Sequence, residues 1–337
     1  MIHATRLDRW LGESVAENIS QAFRLWQGPP VIVHGTPGKL WVEAGGDFCG
    51  TPFTSQRRGG FSSLSDLIAA RSAGQGQDIP FSKTGTAAGS VGQPMSLWNV
   101  GNMPAAGGVG GTSGTGRACT NATTGALGQS NAATGTLHLI SGWLNANFAN
   151  SLLVYDRLWD MTYNHATATS TAIDANNRPT RYQTSALAPG NFISAEVTTA
   201  LSATAHNLTL TYVDDQGNTA EAAAAYAAPV SAAANRLTLV SPAWFLTLNA
   251  PDVGARYLTN IAQSTTASVT GVSNFFIGHP LFVLPAPIAN LTFPVDGVNC
   301  NVNLARIIDG ACLAFLELPK PATNATTYTG LLSTAYR

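Results

Sequence analysis

Two carboxylates beside aromatic rings are the first candidates for chemistry in this sequence. Asp156 and Asp160 lie close to Tyr155 and Trp159, and a pair of carboxylates is the arrangement by which glycosidases cleave sugars. Side chains of a strand alternate between its two faces, which places Asp156 on one face and both aromatic residues on the other. We therefore expect Asp156, next to Arg157, to form a structural ion pair or to cap a strand.

A second candidate is a glycine-rich loop with the spacing of a nucleotide-binding P-loop, from Gly111 to Gly116. A P-loop needs a lysine to reach the phosphates and a serine or threonine to hold magnesium. Arg117 and Ala118 follow instead, no apolar strand precedes the loop, and no helical pattern follows it. The sequence therefore does not predict nucleotide binding here.

The remaining polar residues do not form a catalytic or metal-binding pattern. No two histidines are spaced three or four residues apart, and no Gly-x-Ser-x-Gly elbow is present. Asp214 and Asp215 lack the alternating acidic spacing of a calcium loop, and with Gly217 and Asn218 they predict a hairpin turn. We predict a protein that is not an enzyme, with no catalytic residues, no cofactor and no metal. The histidines are His3, His34, His138, His165, His206 and His279.

The cysteines also lack a ligand pattern. Cys49, Cys119, Cys300 and Cys312 contain no Cys-x-x-Cys pair, so free, partly buried thiols in a protein made in the cytosol are expected. A bridge between Cys300 and Cys312 that closes a hairpin is left open.

The composition is unusual in its lack of charge. Only 10% of the 337 residues are charged, against about 25% in an average soluble domain. Small neutral side chains lose their water at low cost, and obligate interfaces are depleted of charge. This favours permanent contact between subunits over the alternative, a secreted β protein rich in threonine and asparagine.

Several locations and partners are disfavoured. The net charge is −1 and no basic patch is present, so no direct binding to nucleic acid is expected. No run of 18 apolar residues predicts a membrane span, and residues 1–8 lack the apolar region of a signal peptide.

The sequence predicts three segments of different character. Residues 1–83 contain a helix over 5–26, a hairpin over 31–42 and a second helix over 61–70, with Ser63 or Ser65 as its cap and Leu64, Leu67 and Ile68 on one face. Residues 84–135 are rich in Gly, Ala and Thr and predict an arm or linker. Residues 136–337 contain short strands between turns, among them 207–213, 244–248, 268–277 and 281–284. The predicted fold is mainly β, an antiparallel sandwich or jelly roll with an N-terminal helix and an extended arm.

Two sets of apolar residues are candidates for subunit contacts. One helix cannot bury the six-residue stripe of the segment 5–26 alone, and the adjacent Phe275 and Phe276 point to opposite faces of a strand. The predicted interface residues are Leu7, Trp10, Leu11, Val15, Ile19, Phe23, Trp26, Trp98, Phe275 and Phe276.

Five segments of the sequence resemble segments of structural proteins of tailed-bacteriophage particles. They are residues 61–68, 97–107, 152–159, 210–220 and 253–261. The resemblance implies a virion part, associated with the capsid or the tail and without an active site.

We expect a capsid decoration (cement) protein that forms an oligomer, a trimer, and binds the major capsid protein or other virion proteins. Two alternatives remain: a tail fibre or baseplate component that binds host glycans through exposed Trp98 or Tyr163, and a major capsid subunit. A secreted enzyme is disfavoured because both the signal and the catalytic constellation are missing.

Overall fold

The computed structural model describes residues 31–36, 39–44, 61, 63–87, 91–167, 169–219, 221–237, 244–296 and 304–337. The chain divides into two units, Met1–Gln56 and Arg57–Arg337. In the first unit, β1 (Val31–Thr36) and β2 (Lys39–Ala44) form the predicted antiparallel hairpin. The predicted helix over 5–26, with its interface residues, lies outside the described residues.

The second unit begins with the one short helix of its described part, α1 (Leu64–Ser72). Ser63 caps it, since the Ser63 hydroxyl accepts a hydrogen bond from the backbone N–H of Asp66 at 3.1 Å. This confirms the second predicted helix and its cap. The apolar face is divided: Leu67 is buried, whereas Leu64 and Ile68 are each 57% exposed.

One sheet of this unit, which we call the central sheet, contains the two longest strands, and these carry most of the functional candidates. Its strands in spatial order are β10 (Phe192–Thr199), β15 (Val272–Ala286), β8 (Asn150–Asn164), β18 (Leu313–Glu317) and β4 (Met95–Ser96). A sixth strand, β6 (Arg117–Ala118), pairs with β8 at the edge where β18 also pairs.

Two further sheets complete the unit, and the strands paired in all three sheets are antiparallel. The β7 sheet contains β16 (Phe293–Asp296), β7 (Leu137–Ala146), β19 (Thr327–Tyr336), β3 (Asp78–Thr84) and β5 (Asn102–Met103), with β17 (Arg306–Ile307) also on β7. The β11 sheet contains β12 (Glu221–Ala222), β11 (Asn207–Asp214), β14 (Ala255–Gln263) and β9 (Ser170–Ala172), with β13 (Tyr226–Ala227) also on β11.

The core lies between the central sheet and the other two sheets. Leu152 and Val154 of β8 contact a cluster with the β7 sheet, whereas Met161 and Tyr163 of the same strand contact a cluster with the β11 sheet. One long strand therefore contributes to two sandwich-like interfaces. These sheets confirm the prediction of a mainly β, antiparallel fold. They pack in layers because strands with alternating apolar residues can bury their apolar face only against another layer.

The glycine-rich segment 84–135 lies on this body. Its described part has only two-residue strands, as its composition predicts, but Trp98 and Cys119 are buried against Tyr155 and Phe276 of the central sheet. The segment is a cover over the sheet rather than a free linker, because the Trp98 ring needs apolar contact that water does not supply. Both predicted segment boundaries, 83/84 and 135/136, fall inside the second unit.

Individual strand predictions differ in outcome. Residues 207–213 form β11, and their alternation matches the burial pattern. Residues 268–277 and 281–284 were expected as two strands but belong largely to the single strand β15. The expected strand at 244–248 is irregular backbone. In the described residues no helix has the length and apolar character needed to cross a lipid bilayer.

Candidate functional site

A guanidinium group lies at the centre of the buried polar residues. Arg157 donates hydrogen bonds to Asp160 Oδ2 at 3.0 Å and to Glu196 Oε1 at 2.8 Å. Its guanidinium carbon also lies 4.5 Å from the ring centre of Trp98 and 4.4 Å from that of Phe276. All three charged side chains are fully buried. The charge is therefore held by carboxylates in one direction and by aromatic faces in the other.

A β-bulge in β8 makes this arrangement possible. Between the pairs Trp159–Ile277 and Arg157–Gly278 the register with β15 shifts, which leaves Leu158 as the extra residue. A bulge reverses the alternation of side chains, so Arg157 and Asp160, three residues apart, meet on one face. Leu158 and Trp159 then both contact the core shared with the β11 sheet. The expectation that Trp159 shares a face with Tyr155 is therefore wrong.

The second candidate carboxylate has a different partner. Asp156 receives two hydrogen bonds from Arg181, at 2.8 and 2.7 Å, and one at 2.8 Å from the backbone N–H of Cys312. Arg117 completes the set by donating to Asp160 at 2.8 Å. The predicted structural ion pair of Asp156 exists, but with Arg181 instead of the adjacent Arg157, because neighbouring residues of a strand point away from each other.

Burial and charged neighbours shift the pKa values of two of these groups: desolvation raises the pKa of Asp156, and the hydrogen bonds and charge of Arg181 oppose this shift. Burial by itself lowers the pKa of Arg157, but the attraction of Glu196 and Asp160 outweighs it, so the pKa lies well above its ordinary value. Both Asp156 and Asp160 are 0% exposed. A carboxylate that is enclosed and bound by guanidinium groups has neither the access nor the free lone pairs of a general acid or base. The arrangement supports a structural role for this ionic centre, which consists of Arg117, Asp156, Arg157, Asp160, Arg181 and Glu196.

The glycine-rich loop covers the same centre. The backbone N–H of Gly111 donates to Asp160 Oδ1 at 3.1 Å, and a Cβ at Gly116 would collide with the Trp159 indole. A carboxylate bound to the loop amides repels phosphate. The glycine spacing thus reflects close packing of the loop against β8.

The histidines of the described part serve in packing and hydrogen bonding. His165 Nδ1 lies 3.0 Å from His206 Nε2, and His165 Nε2 lies 2.9 Å from Ser273 Oγ. Desolvation lowers the pKa of His165 to about 4, and the neighbouring His206 adds to the effect. No group of three metal-ligating side chains occurs among the residues described. His3 and the side chain of His34 lie outside that part.

The turn and cysteine predictions can be compared with the structure at several positions. Asp214 Oδ1 accepts hydrogen bonds from the backbone N–H groups of Gly217 at 2.6 Å and Asn218 at 2.7 Å, which confirms the predicted turn. Cys119 and Cys312 are free and buried. Cys49 and Cys300, and with them the possible Cys300–Cys312 bridge, lie outside the described residues.

An exposed apolar surface lies at the end of β15 and in the loop to β16; we call residues 283–295 the apolar edge. Eight consecutive residues, 287–294, are exposed. Ile288 is 58% exposed, Leu291 50% and Phe293 39%. The sequence from 280 to 295 contains no Asp, Glu, Lys or Arg. Exposed apolar groups without charge between them mark a contact surface.

The apolar edge continues into a groove. An open groove of about 300 Å³ is lined by side chains of α1, β7 and β16, including Leu64, Trp143 and Pro294. Val295 belongs to both the groove and the apolar edge. Exposed apolar side chains and a mostly apolar groove, which Asp296 also lines, therefore lie side by side on one surface of the second unit.

Part of the charge of the described residues lies inside the protein. Ten charged side chains are buried. The buried set is Lys83, Asp156, Arg157, Asp160, Arg181, Glu196, Asp214, Asp215, Glu317 and Lys320.

Three of the predicted interface residues can be placed. Trp98 is 1% exposed, and Phe275 and Phe276 are 0% exposed. Phe275 and Phe276 do contact cores on opposite faces of β15, but these cores belong to the same chain. A side chain already buried in its own chain offers no area to a second subunit, so these three are core residues. Sequence reasoning missed the apolar edge, although its uncharged run was visible in the sequence.

Comparisons with known proteins give no family. No protein-family model matches the chain, and no curated protein matches it. Among solved structures, the matches include the VP2 subviral particle of infectious bursal disease virus, with 10% identity, a TM-score of 0.16, and coverage of 78% of this chain and 81% of that chain. T=1 particles derived from the same virus match with 10% identity, a TM-score of 0.16 and 78% coverage of each chain. Likeness at this level carries no conclusion about this chain.

Proposed function

We propose that this chain is a structural subunit of a virus particle that acts through permanent contacts with copies of itself and with neighbouring particle proteins, without catalysis. The observation that carries the proposal is the placement of charge and apolar area. Ten charged side chains are buried, whereas the apolar edge is exposed and uncharged. Such a surface loses its water at low cost when it meets another neutral surface.

We assign a second copy of the chain as the binding partner of the apolar edge. A neutral surface matches a neutral surface, and the knobs at Ile288 and Leu291 lie beside a groove that another copy can present to them. Reciprocal contacts of this kind produce closed, symmetric oligomers. The particle we favour is a tailed bacteriophage, the role is capsid decoration, and the partner is the major capsid protein.

The two aromatic residues on which the glycan-binding alternative depends are buried. Trp98 and Tyr163 were the aromatic residues expected to stack on sugars, and they are 1% and 0% exposed. A major capsid subunit remains the second candidate, because it too requires uncharged contact surfaces.

The test uses charge to block the apolar edge. Wild-type protein and a Leu291→Asp variant are compared by mass photometry and sedimentation velocity. We expect an oligomer for the wild type and at least a tenfold higher dissociation constant for the variant, because association would bury an unpaired carboxylate.

A matched control is Val230→Asp, at a valine that is 47% exposed in the segment after β13. It adds the same charge elsewhere and is expected to leave the oligomer intact. A monomeric wild type, or equal weakening by both variants, would contradict the proposal. Co-sedimentation with mature capsids then separates decoration from a shell subunit, since only a decoration protein binds capsids that are already assembled.

A further inference from the structure

Two cysteines that are distant in sequence meet at one edge of β8. The backbone N–H of Cys119 donates to the carbonyl of Leu158 at 3.0 Å, and the backbone N–H of Arg157 donates to the carbonyl of Cys312 at 2.8 Å. Strand β6 ends just before Cys119, and β18 begins just after Cys312. Both strands pair antiparallel with β8. Their ends therefore abut at adjacent residues of the same strand.

This placement suits a covalent bridge. Strand residues rise about 3.3 Å each, so positions one or two residues apart along an edge fall in the range of about 4–7 Å that the Cα atoms of a disulfide span. The two side chains contact the same apolar cluster, and the Cys312 thiol is a hydrogen-bond partner of the Cys119 thiol. The Arg181–Asp156 pair fixes both backbones, since Arg181 donates to the Cys119 carbonyl and Asp156 accepts from the Cys312 N–H.

We propose that Cys119 and Cys312 are a disulfide-forming site that fastens the glycine-rich cover to the central sheet. In the structure both are free thiols. The oxidant is a soluble disulfide such as oxidised glutathione. One protein thiolate attacks it, breaks its S–S bond and releases one small thiol. The second protein thiolate then attacks the protein sulfur of the mixed disulfide and releases the other, so two protein thiols are oxidised and one small disulfide is reduced.

The burial of both thiols limits the rate at which the disulfide forms. Each is 0% exposed, and desolvation raises the pKa of Cys119 well above its ordinary value. Because the thiolate is the reactive form, exchange proceeds only when the cover opens locally. The bond itself does not depend on the proposed function; only its timing, after release of a particle from a reducing cell, depends on it.

The experiment uses the full chain with Cys49→Ser and Cys300→Ser, which leaves only the two cysteines in question. The protein is incubated with oxidised glutathione, with and without a low urea concentration that promotes opening, and free thiols are then alkylated in denaturant. We expect peptide mapping by mass spectrometry to find a Cys119–Cys312 linkage that forms faster in urea. The bridged form should melt roughly 5–10 °C higher, because the bond closes a long loop.

The controls carry a further Cys119→Ser or Cys312→Ser change and should show neither the linkage nor the melting shift. Stable glutathione adducts on either cysteine, two alkylated thiols after prolonged oxidation, or a bridged form that melts lower would each overturn the proposal. If the background variant fails to fold, the same mapping on the wild-type chain decides whether the linkage forms.

Discussion

The ionic centre and the apolar edge invert the usual distribution of residues between interior and surface. Arg157, Asp160 and Glu196 are fully buried, whereas Ile288 and Leu291 are at least half exposed. These three buried charges find partners of opposite charge in the same chain. The apolar edge finds no such cover among the described residues. The difference indicates that the interior specifies the fold and the edge is available for association.

The largest expected effect is at the ionic centre. Replacing Arg157 by Met keeps apolar contact with Trp98 and Phe276 but leaves the buried Glu196 without its guanidinium partner and Asp160 with Arg117 alone. We expect the free energy of unfolding to fall by about 3–5 kcal/mol, measured by urea denaturation.

Arg306→Met is the control, since Arg306 is exposed and its loss should cost under about 0.5 kcal/mol. Equal losses of unfolding free energy in the two variants would show that the buried ion pairs of Arg157 stabilise the fold no more than an exposed arginine does.

The next largest effect is a dependence of the free energy of unfolding on pH, caused by the buried His165. The pKa of His165 is about 4 in the folded protein, against an ordinary value of 6.5. The unfolded chain therefore takes up the proton first, so stability is full above pH 6.5 and is lost as the pH falls towards 4. His165 accounts for a loss of up to about 3 kcal/mol.

The measurement compares urea denaturation of the wild type and His165→Gln at several values between pH 7 and pH 4. Carboxylates titrate in both proteins, so the difference between the two curves reports His165. Parallel curves would show that the buried histidine does not contribute.

A smaller effect tests the glycine-rich cover. Gly108 and Gly116 both have φ of +69°, but a Cβ meets nothing at Gly108 and meets the Trp159 indole at Gly116. Gly108→Ala should cost about 1 kcal/mol from backbone strain alone. Gly116→Ala should cost about 2 kcal/mol more, since the ring must move. Similar losses in thermal or urea denaturation would mean that the cover is not packed against β8.

The smallest effect on stability is expected at the apolar edge. Leu291→Asp, measured at a dilution at which the wild type is also monomeric, should change the free energy of unfolding by under about 0.5 kcal/mol. Association should nevertheless weaken, as described above. A large loss of monomer stability would instead place Leu291 in the fold's own core.

Much of the fold could be predicted from local patterns. The alternation in residues 207–213 predicts β11, Ser63 predicts the start of α1, and Asp214 with Gly217 predicts the turn. Each signal depends on residues within a few positions of one another. The strand at 244–248 was predicted wrongly, because a short apolar run does not distinguish a strand from a buried irregular segment.

The sequence by itself determined a charge-poor, mainly β chain with carboxylates suited to structural ion pairs. Only the tertiary structure decided which arginine meets which carboxylate, because the bulge at Leu158 changes the faces of β8 and the partners of Asp156 and Arg157 lie 25 and 39 residues away. It also decided that Phe275 and Phe276 are core while Leu291 is surface. Apolar character is a property of a residue, but burial depends on which layers the whole chain brings over it.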